Sequence, residues 1–427
     1  MANFLDISEI KCNKKLNSGS KKDDVTLVVN VDGRREPYDI HHYFNKGEKW
    51  KLAKRFPFTN DIKLRLIEDA PDENLSSGTT VGKQVSLQKA TTKGDISFAD
   101  KNANYTIRYS LDSSPKSPLS IAIDELSQRI SDPINTQYYK KKKTFRKKHI
   151  TIIYSHKWEE LDAKKIFNKL SDVAMIAKSS SHTDFNYDSP VAKLSQEFDQ
   201  TPTQFCVAAA CAFSFAWRQP RRYIECCKSL LENGTYLTSS KRKTTKKEIR
   251  KQKAPKKADG SRMDHADWLL MSSLNMLVSK GGKTKKSWEI QNELIKEFLE
   301  DCLGYSQVKY ISLYDEHSIP ELFGHLYTAY AKGGVGYLDV FEKTVDPELP
   351  IEKIMEIRPT HTVTYIGPRS LSDENLFFIQ HYGAVYGWGI PSKLHPRTIL
   401  FNHYLYSGEI NQTEFRVFGG MVGWPES

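Results

Sequence analysis

The sequence predicts a multidomain chain, an N-terminal antiparallel β-sandwich followed by a C-terminal α+β domain. Three observations carry this reading. The 427 residues exceed one ordinary hydrophobic core, so two or three domains are expected. Residues 24 to 111 read as short alternating segments split by Gly, Pro, Asn and Asp clusters. From residue 200 onward helical patterns come first and strand patterns last.

The alternating segments are VTLVVNVDG, KWKLAKRFPF, DIKLRLIED, DISFAD and ANYTIRYSL, and they define a sandwich over residues 1–112 with a loading or targeting role. Their arrangement loosely resembles calcium- and lipid-binding sandwiches. Asp69, Asp72 and Glu73 follow IKLRLIE, but a calcium ion needs more converging oxygens than this loop supplies, so a solvated acidic loop is expected. Residues 113–195 form a connecting region with a Ser/Pro-rich start, a helix at IAIDELSQRI, a strand-like ITIIYS and a helix within KWEELDAKKIFNKLSDVAMIA.

The α+β domain is expected over residues 196–427. PTQFCVAAACAFSFAW and PRRYIECCKSLLENG read as helices, the second opened by Pro220 and closed by Gly234. Residues 239–260 read as a mobile Lys-rich insertion. MDHADWLLMSSLNMLVS, SWEIQNELIKEFLEDCLG and PELFGHLYTAYAKGG are further helices, and VGYLDVFE, THTVTYIG, NLFFIQHYG and EFRVFGGMVGW are strands. Asp264 and Asp267 flank His265, and capping with a solvated face explains them better than acid–base chemistry. The glycines of KGGVGYLD fit no phosphate-binding loop and end a helix before a strand.

Net charge is +11, and two runs account for it: roughly seven basic residues in Lys140–Lys148 and roughly ten in Lys241–Lys257. Solvated loops are the expected reading, with grip on an anionic polymer as the functional one. The second run holds no aromatic residue, which argues against stacking on single-stranded nucleic acid. Cys12, Cys206, Cys211, Cys226, Cys227 and Cys302 form no CxxC pair and no metal spacing with histidines, so neither a disulfide framework nor a metal or other cofactor is expected. The N-terminus lacks the apolar core of a secretory signal and no run approaches a membrane span. A chain made in the cytoplasm is expected, with any export by a route that needs no cleaved signal.

Candidate chemistry lies in three stretches. In QTPTQFCVAAACAFSFAW, Pro202 and Thr203 can open a helix with Cys206 in its first turn, where unpaired amides and the positive dipole end favour a thiolate. In HTVTYIG, His361, Val363 and Tyr365 alternate with Thr362, Thr364 and Ile366, a strand signal with a candidate general base at its start. FFIQHYGAVYGWGI carries Gln380 and His381, either of which could orient the first imidazole. Cys211 lies beyond the reach of the helix dipole and, like Cys226 and Cys227, reads as a packing residue.

With this order of Cys, His and a polar third residue, residues 200 to 390 resemble the papain-like cysteine peptidase superfamily, and in layout its bacteriocin-processing peptidases and cell-wall amidases. The resemblance implies Cys206 as nucleophile, His361 as base and His381 as third residue, with Gln380 as the alternative. It also implies Gln200, six residues before Cys206, as oxyanion donor beside the Cys206 amide, with Gln204 as fallback. The function implied is hydrolysis of an amide bond in a protein or peptidoglycan-type substrate. Two modules without a signal suit an effector toxin, with a secretion apparatus and an immunity protein as partners. A non-catalytic scaffold gripping an anionic polymer, and a thiol-dependent acyltransferase or deamidase, are the alternatives.

Overall fold

The computed structural model describes residues 2–15, 22–68, 78–87, 93–114, 116–131, 157–179, 189–198, 205–239, 241–257, 259–275, 287–313, 319–341, 361–370, 373–381, 384–391, 398–404 and 410–426. It is mixed α/β with several antiparallel sheets. Two compact units result: Met1–Phe167 with Ile224–Lys251, and Asn168–Tyr223 with Gln252–Ser427.

The first unit opens with β1 (Ala2–Lys14), β2 (Asp23–Val31), β3 (Arg34–Arg35), β4 (Ile40–Phe44), β5 (Lys49–Phe58), β6 (Ile62–Glu68), β7 (Thr79–Leu87), β8 (Lys93–Ala99) and β9 (Asn104–Ser114). One sheet has the order β5-β1-β9-β8, and the other β3-β2-β6-β7 with β4 also on β2. Leu5, Phe56, Phe98 and Ile107 from the first share one core with Val25, Leu27, Leu64 and Val81 from the second, as a sandwich requires. Asp32 and Gly33 both take positive φ and close the β2–β3 hairpin, where Val31 faces Arg34.

β1 escaped the sequence reading for a definite reason. A bulge between Ile7 and Glu9 breaks the period of two, so Leu5 and Ile7 point inward before it and Ile10 and Cys12 after it. Asp69, Asp72, Glu73, ITIIYS and the Lys140–Lys148 run lie outside the described residues.

The helices are α1 (Pro118–Ser131), α2 (Ala163–Ser179), α3 (Pro190–Gln196), α4 (Cys206–Arg218), α5 (Pro220–Asn233), α6 (Lys247–Arg250), α7 (His265–Asn275), α8 (Ser287–Glu297), continued by a π-turn at Phe298–Cys302, and α9 (Ile319–Ala331). Gly234 ends α5 at φ 72°, its amide bonding the Leu230 carbonyl at 2.9 Å.

Two expectations are corrected here. Residues 224–251 belong with the first unit, not with a domain running unbroken from 196 to 427. The Lys-rich stretch is also built into the fold: β10 (Thr235–Leu237) pairs with β11 (Arg242–Thr244), and α6 follows. Arg242 Nε donates to buried Asp39 Oδ2 at 2.7 Å and the same guanidinium bonds the Thr26 hydroxyl. Thr235 donates to Asp39 Oδ2 at 2.7 Å, and Leu237 packs on Val28 and Ile67. Charge density read as solvation is thus partly ion pairing to a carboxylate 203 positions away.

In the second unit one sheet dominates. Its strands are β12 (Gln307–Ser312), β13 (Val335–Phe341), β14 (His361–Ser370), β15 (Asp373–His381), β16 (Ala384–Pro391), β17 (Thr398–Tyr404) and β18 (Ile410–Trp424). Their order is β12-β18-β13-β14-β15-β16-β17, and β17 also pairs with β18, so β13–β18 close on themselves. Leu322, Phe323 and Leu326 of α9 form a core with Leu338, Val340, Val363, Tyr365 and Val422. Each such side chain contributes roughly 1.5–3 kcal/mol by leaving water. Gly336 permits this approach, since a Cβ there would stand 2.3 Å from Leu326 Cδ2.

Candidate active site

α4 is apolar all round, and its residues Cys206 to Trp217 are all buried, which marks it as an internal helix. Phe205 precedes it without a side-chain cap and stacks on Trp268, with ring centroids 5.9 Å apart. Its carbonyl accepts the Ala209 amide at 2.7 Å. Cys206 is therefore the first helical residue, where amides have no carbonyl a turn earlier to bond.

Three backbone amides face the thiol instead: those of Thr362 and Val207, and to a smaller extent that of Cys206 itself, donate to Cys206 Sγ. They favour a thiolate, but burial outweighs them and pushes the Cys206 thiol up. The expected helix-stabilised thiolate is thus replaced by a neutral thiol, because water is excluded more completely than the dipole end compensates.

β14 pairs with β13 from His361 onward, with Val340 opposite His361 and Asp339 opposite Thr362. On its other edge the β14–β15 register begins at Thr364 opposite Gln380, leaving residue 362 beyond it.

Alternation along β14 sets His361 with Val363 and Tyr365 and sets Thr362 with Thr364. Phe323 and Tyr330 of α9 both make edge-on contacts with Tyr365, which identifies the side that α9 covers. The His361 ring and the Thr362 side chain thus leave the strand on opposite sides, and the carboxyl that acts on the Cys206 thiol, Asp339, is on the Thr362 side. His361 is 4% exposed, and burial alone lowers its pKa to about 4, so the imidazole is neutral at neutral pH and a weaker base than a solvated one.

Sequence reasoning missed Asp339. It is buried in β13 and its Oδ1 accepts from the Thr362 hydroxyl at 3.3 Å, while the Tyr310 hydroxyl also donates to it. Burial prevails over both donors and raises the carboxyl to about 7. A single acid inside the apolar run VGYLDVF was the available signal.

Gln380 and His381 end β15, at the same end of the sheet as the start of β14, and His381 is opposite Ala384. The backbone therefore brings positions 206, 361, 380 and 381 to one end of two adjacent strands. Gln200 and Gln204 lie outside the described residues. Cys211 bonds the Tyr337 hydroxyl and is fully buried, and all six cysteines are buried free thiols. Asp264 Oδ1 accepts the Ala266 amide at 2.7 Å, the expected cap for α7.

Among the described residues no group of three or more His, Cys, Asp or Glu side chains could hold a metal ion, and no helix is long and apolar enough to cross a membrane. Compared with known proteins, the chain matches no family model and no curated protein.

Proposed function

We propose that the second unit is a papain-like cysteine hydrolase that cleaves an amide or peptide bond through an acyl-enzyme on Cys206. One observation supports this above the others: a cysteine at the first position of a buried helix has its sulfur held by the amide next to His361. His361 accepts the thiol proton as Sγ bonds to the substrate carbonyl carbon. The Cys206 amide and the Gln200 side chain receive the oxyanion, each such donor contributing on the order of 3 kcal/mol to the transition state. The imidazolium then returns its proton to the leaving amine, and water activated by the same ring releases the acid. His381 orients His361, with Gln380 as the alternative.

Both partners start neutral, so proton transfer accompanies attack instead of preceding it. The substrate class proposed is a protein or a peptidoglycan-type peptide. Burial of Arg242 and Lys243 within the first unit leaves less of the Lys-rich stretch for an anionic polymer, which favours hydrolysis over the scaffold reading.

Iodoacetamide labelling between pH 5 and 9.5, mapped by mass spectrometry, tests this. Cys206 should label faster than the other cysteines above pH 8, and turnover of a cleaved peptide should fall by about a hundredfold or more in His361→Ala. Equal, slow labelling of every cysteine would overturn the reading.

A further inference from the structure

We propose that Asp339 is a positioning residue of the Cys206 site, acting with Thr362 to decide when the thiol becomes a nucleophile. The proposal rests on the reading of Cys206 as the nucleophile. Asp339 lies directly across the ladder from Thr362, and the Thr362 hydroxyl donates to its Oδ1 at 3.3 Å. The amide of that same threonine donates to Cys206 Sγ. One residue thereby joins two buried acids, the carboxyl through its side chain and the thiol through its backbone.

Two acids in one water-poor space oppose each other's ionisation. A carboxylate on Asp339 pushes the Cys206 thiol further up, beyond the effect of burial. When Asp339 is neutral that repulsion is absent, and Thr362 keeps its amide on the sulfur. Neutral Asp339 is therefore the nucleophile-ready form and the carboxylate is the resting form.

The titratable groups presented by the surrounding elements are Tyr310 from β12, Tyr337 from β13, Cys206 and Cys211 from α4, and His361 from β14, while His381 closes β15. Burial holds Tyr337 and Cys211 well above their ordinary values and His361 well below its own, so these three are neutral near pH 7. Over the adjacent part of β18, Gly419 to Gly423, the sequence GGMVG carries no titratable group.

The test is the rate of Cys206 alkylation by iodoacetamide from pH 5 to 9.5 in wild type, Asp339→Asn and Tyr310→Phe. Asp339→Asn removes the opposing charge, so Cys206 should label about threefold to tenfold faster above pH 7.5, one pKa unit being tenfold, with its profile moved to lower pH. Tyr310→Phe removes a donor that favours the carboxylate and should move the profile the same way by less. Tyr310 is 37% exposed, so this second variant carries the test should the first not fold. Labelling in all three proteins with superimposed profiles would overturn the role of Asp339 and leave the nucleophile reading standing. No labelling of Cys206 in any of them would overturn both.

Discussion

The Thr362 amide donates to the sulfur of Cys206, joining the first residue of α4 to the backbone of the second residue of β14. Because the Thr362 hydroxyl is committed to Asp339 at 3.3 Å, this residue serves two partners at once. Thr362→Val keeps the amide and removes the hydroxyl. The expected result is a loss of about 1–3 kcal/mol in urea unfolding, the cost of leaving a buried acceptor short of a donor. Thr362→Ser should restore most of it, and a Val variant as stable as wild type would contradict the bond.

His361 and Asp339 should give stability opposite pH dependences. In the folded chain His361 titrates at about 4 against an ordinary 6.5, so the unfolded chain binds the extra proton between these values. Its contribution is complete above 6.5 and falls as pH drops through the window, by up to about 3 kcal/mol. Asp339 titrates at about 7 against 3.8, so its contribution is complete below 3.8 and is lost as pH rises to 7, by up to about 4 kcal/mol. The two slopes nearly cancel between pH 4 and 6.5. Each single variant should uncover the other group: Asp339→Asn should gain stability with rising pH over that range, and His361→Gln should lose it. Denaturant titrations at a series of pH values read this directly, and parallel profiles would refute it.

Arg242 should matter more than the lysines around it. Arg242→Ala leaves Asp39 buried without its guanidinium partner, and a loss of about 3–5 kcal/mol is expected. Exposed Lys251 should change stability by less than about 0.5 kcal/mol when replaced by Ala. Thermal denaturation of the two variants side by side checks the contrast, and equal small effects would return the stretch to the role of a solvated loop.

Gly420→Ala should also destabilise. A Cβ there would stand 2.4 Å from the Tyr337 carbonyl oxygen and 3.1 Å from Leu322 Cδ1, and backbone cannot yield as a flexible side chain can. A loss of about 1–3 kcal/mol is expected in equilibrium unfolding, whereas an unchanged midpoint would show that β13 and β18 separate more readily than this register implies.

Much of the architecture was legible because the relevant signals are local. Leu27, Val29 and Val31 alternate along β2, and Pro220 and Gly234 bracket α5, so neither needs knowledge of a distant partner. β7 was harder, since Val81 and Leu87 are its only buried residues, Val85 is half-buried, and Gly82 with five polar residues fills the rest. β1 was hidden by its bulge. Arg242 misled because the carboxylate that buries it, Asp39, is far away in sequence.

The site divides in the same way. Cys206 and His361 stood out by residue type at the starts of a helix and a strand. Asp339 did not, because its importance comes from facing Thr362 across a ladder register that no local pattern encodes. The protonation state of Cys206 was also beyond local reading: the helix start argued for a thiolate, and only the packing that buries the sulfur reverses the balance.

The most direct measurement of the central claim is trapping of an acyl-enzyme. Wild type, Cys206→Ala and His361→Ala would each be mixed with p-nitrophenyl acetate at pH 8, with the p-nitrophenol burst followed and the acetyl group mapped by mass spectrometry. A burst approaching one equivalent in wild type, with acetyl on Cys206, absent in the Ala variant and slowed in His361→Ala, is the predicted result. No burst in wild type, or a burst that survives Cys206→Ala, would contradict the assignment of Cys206 as the nucleophile.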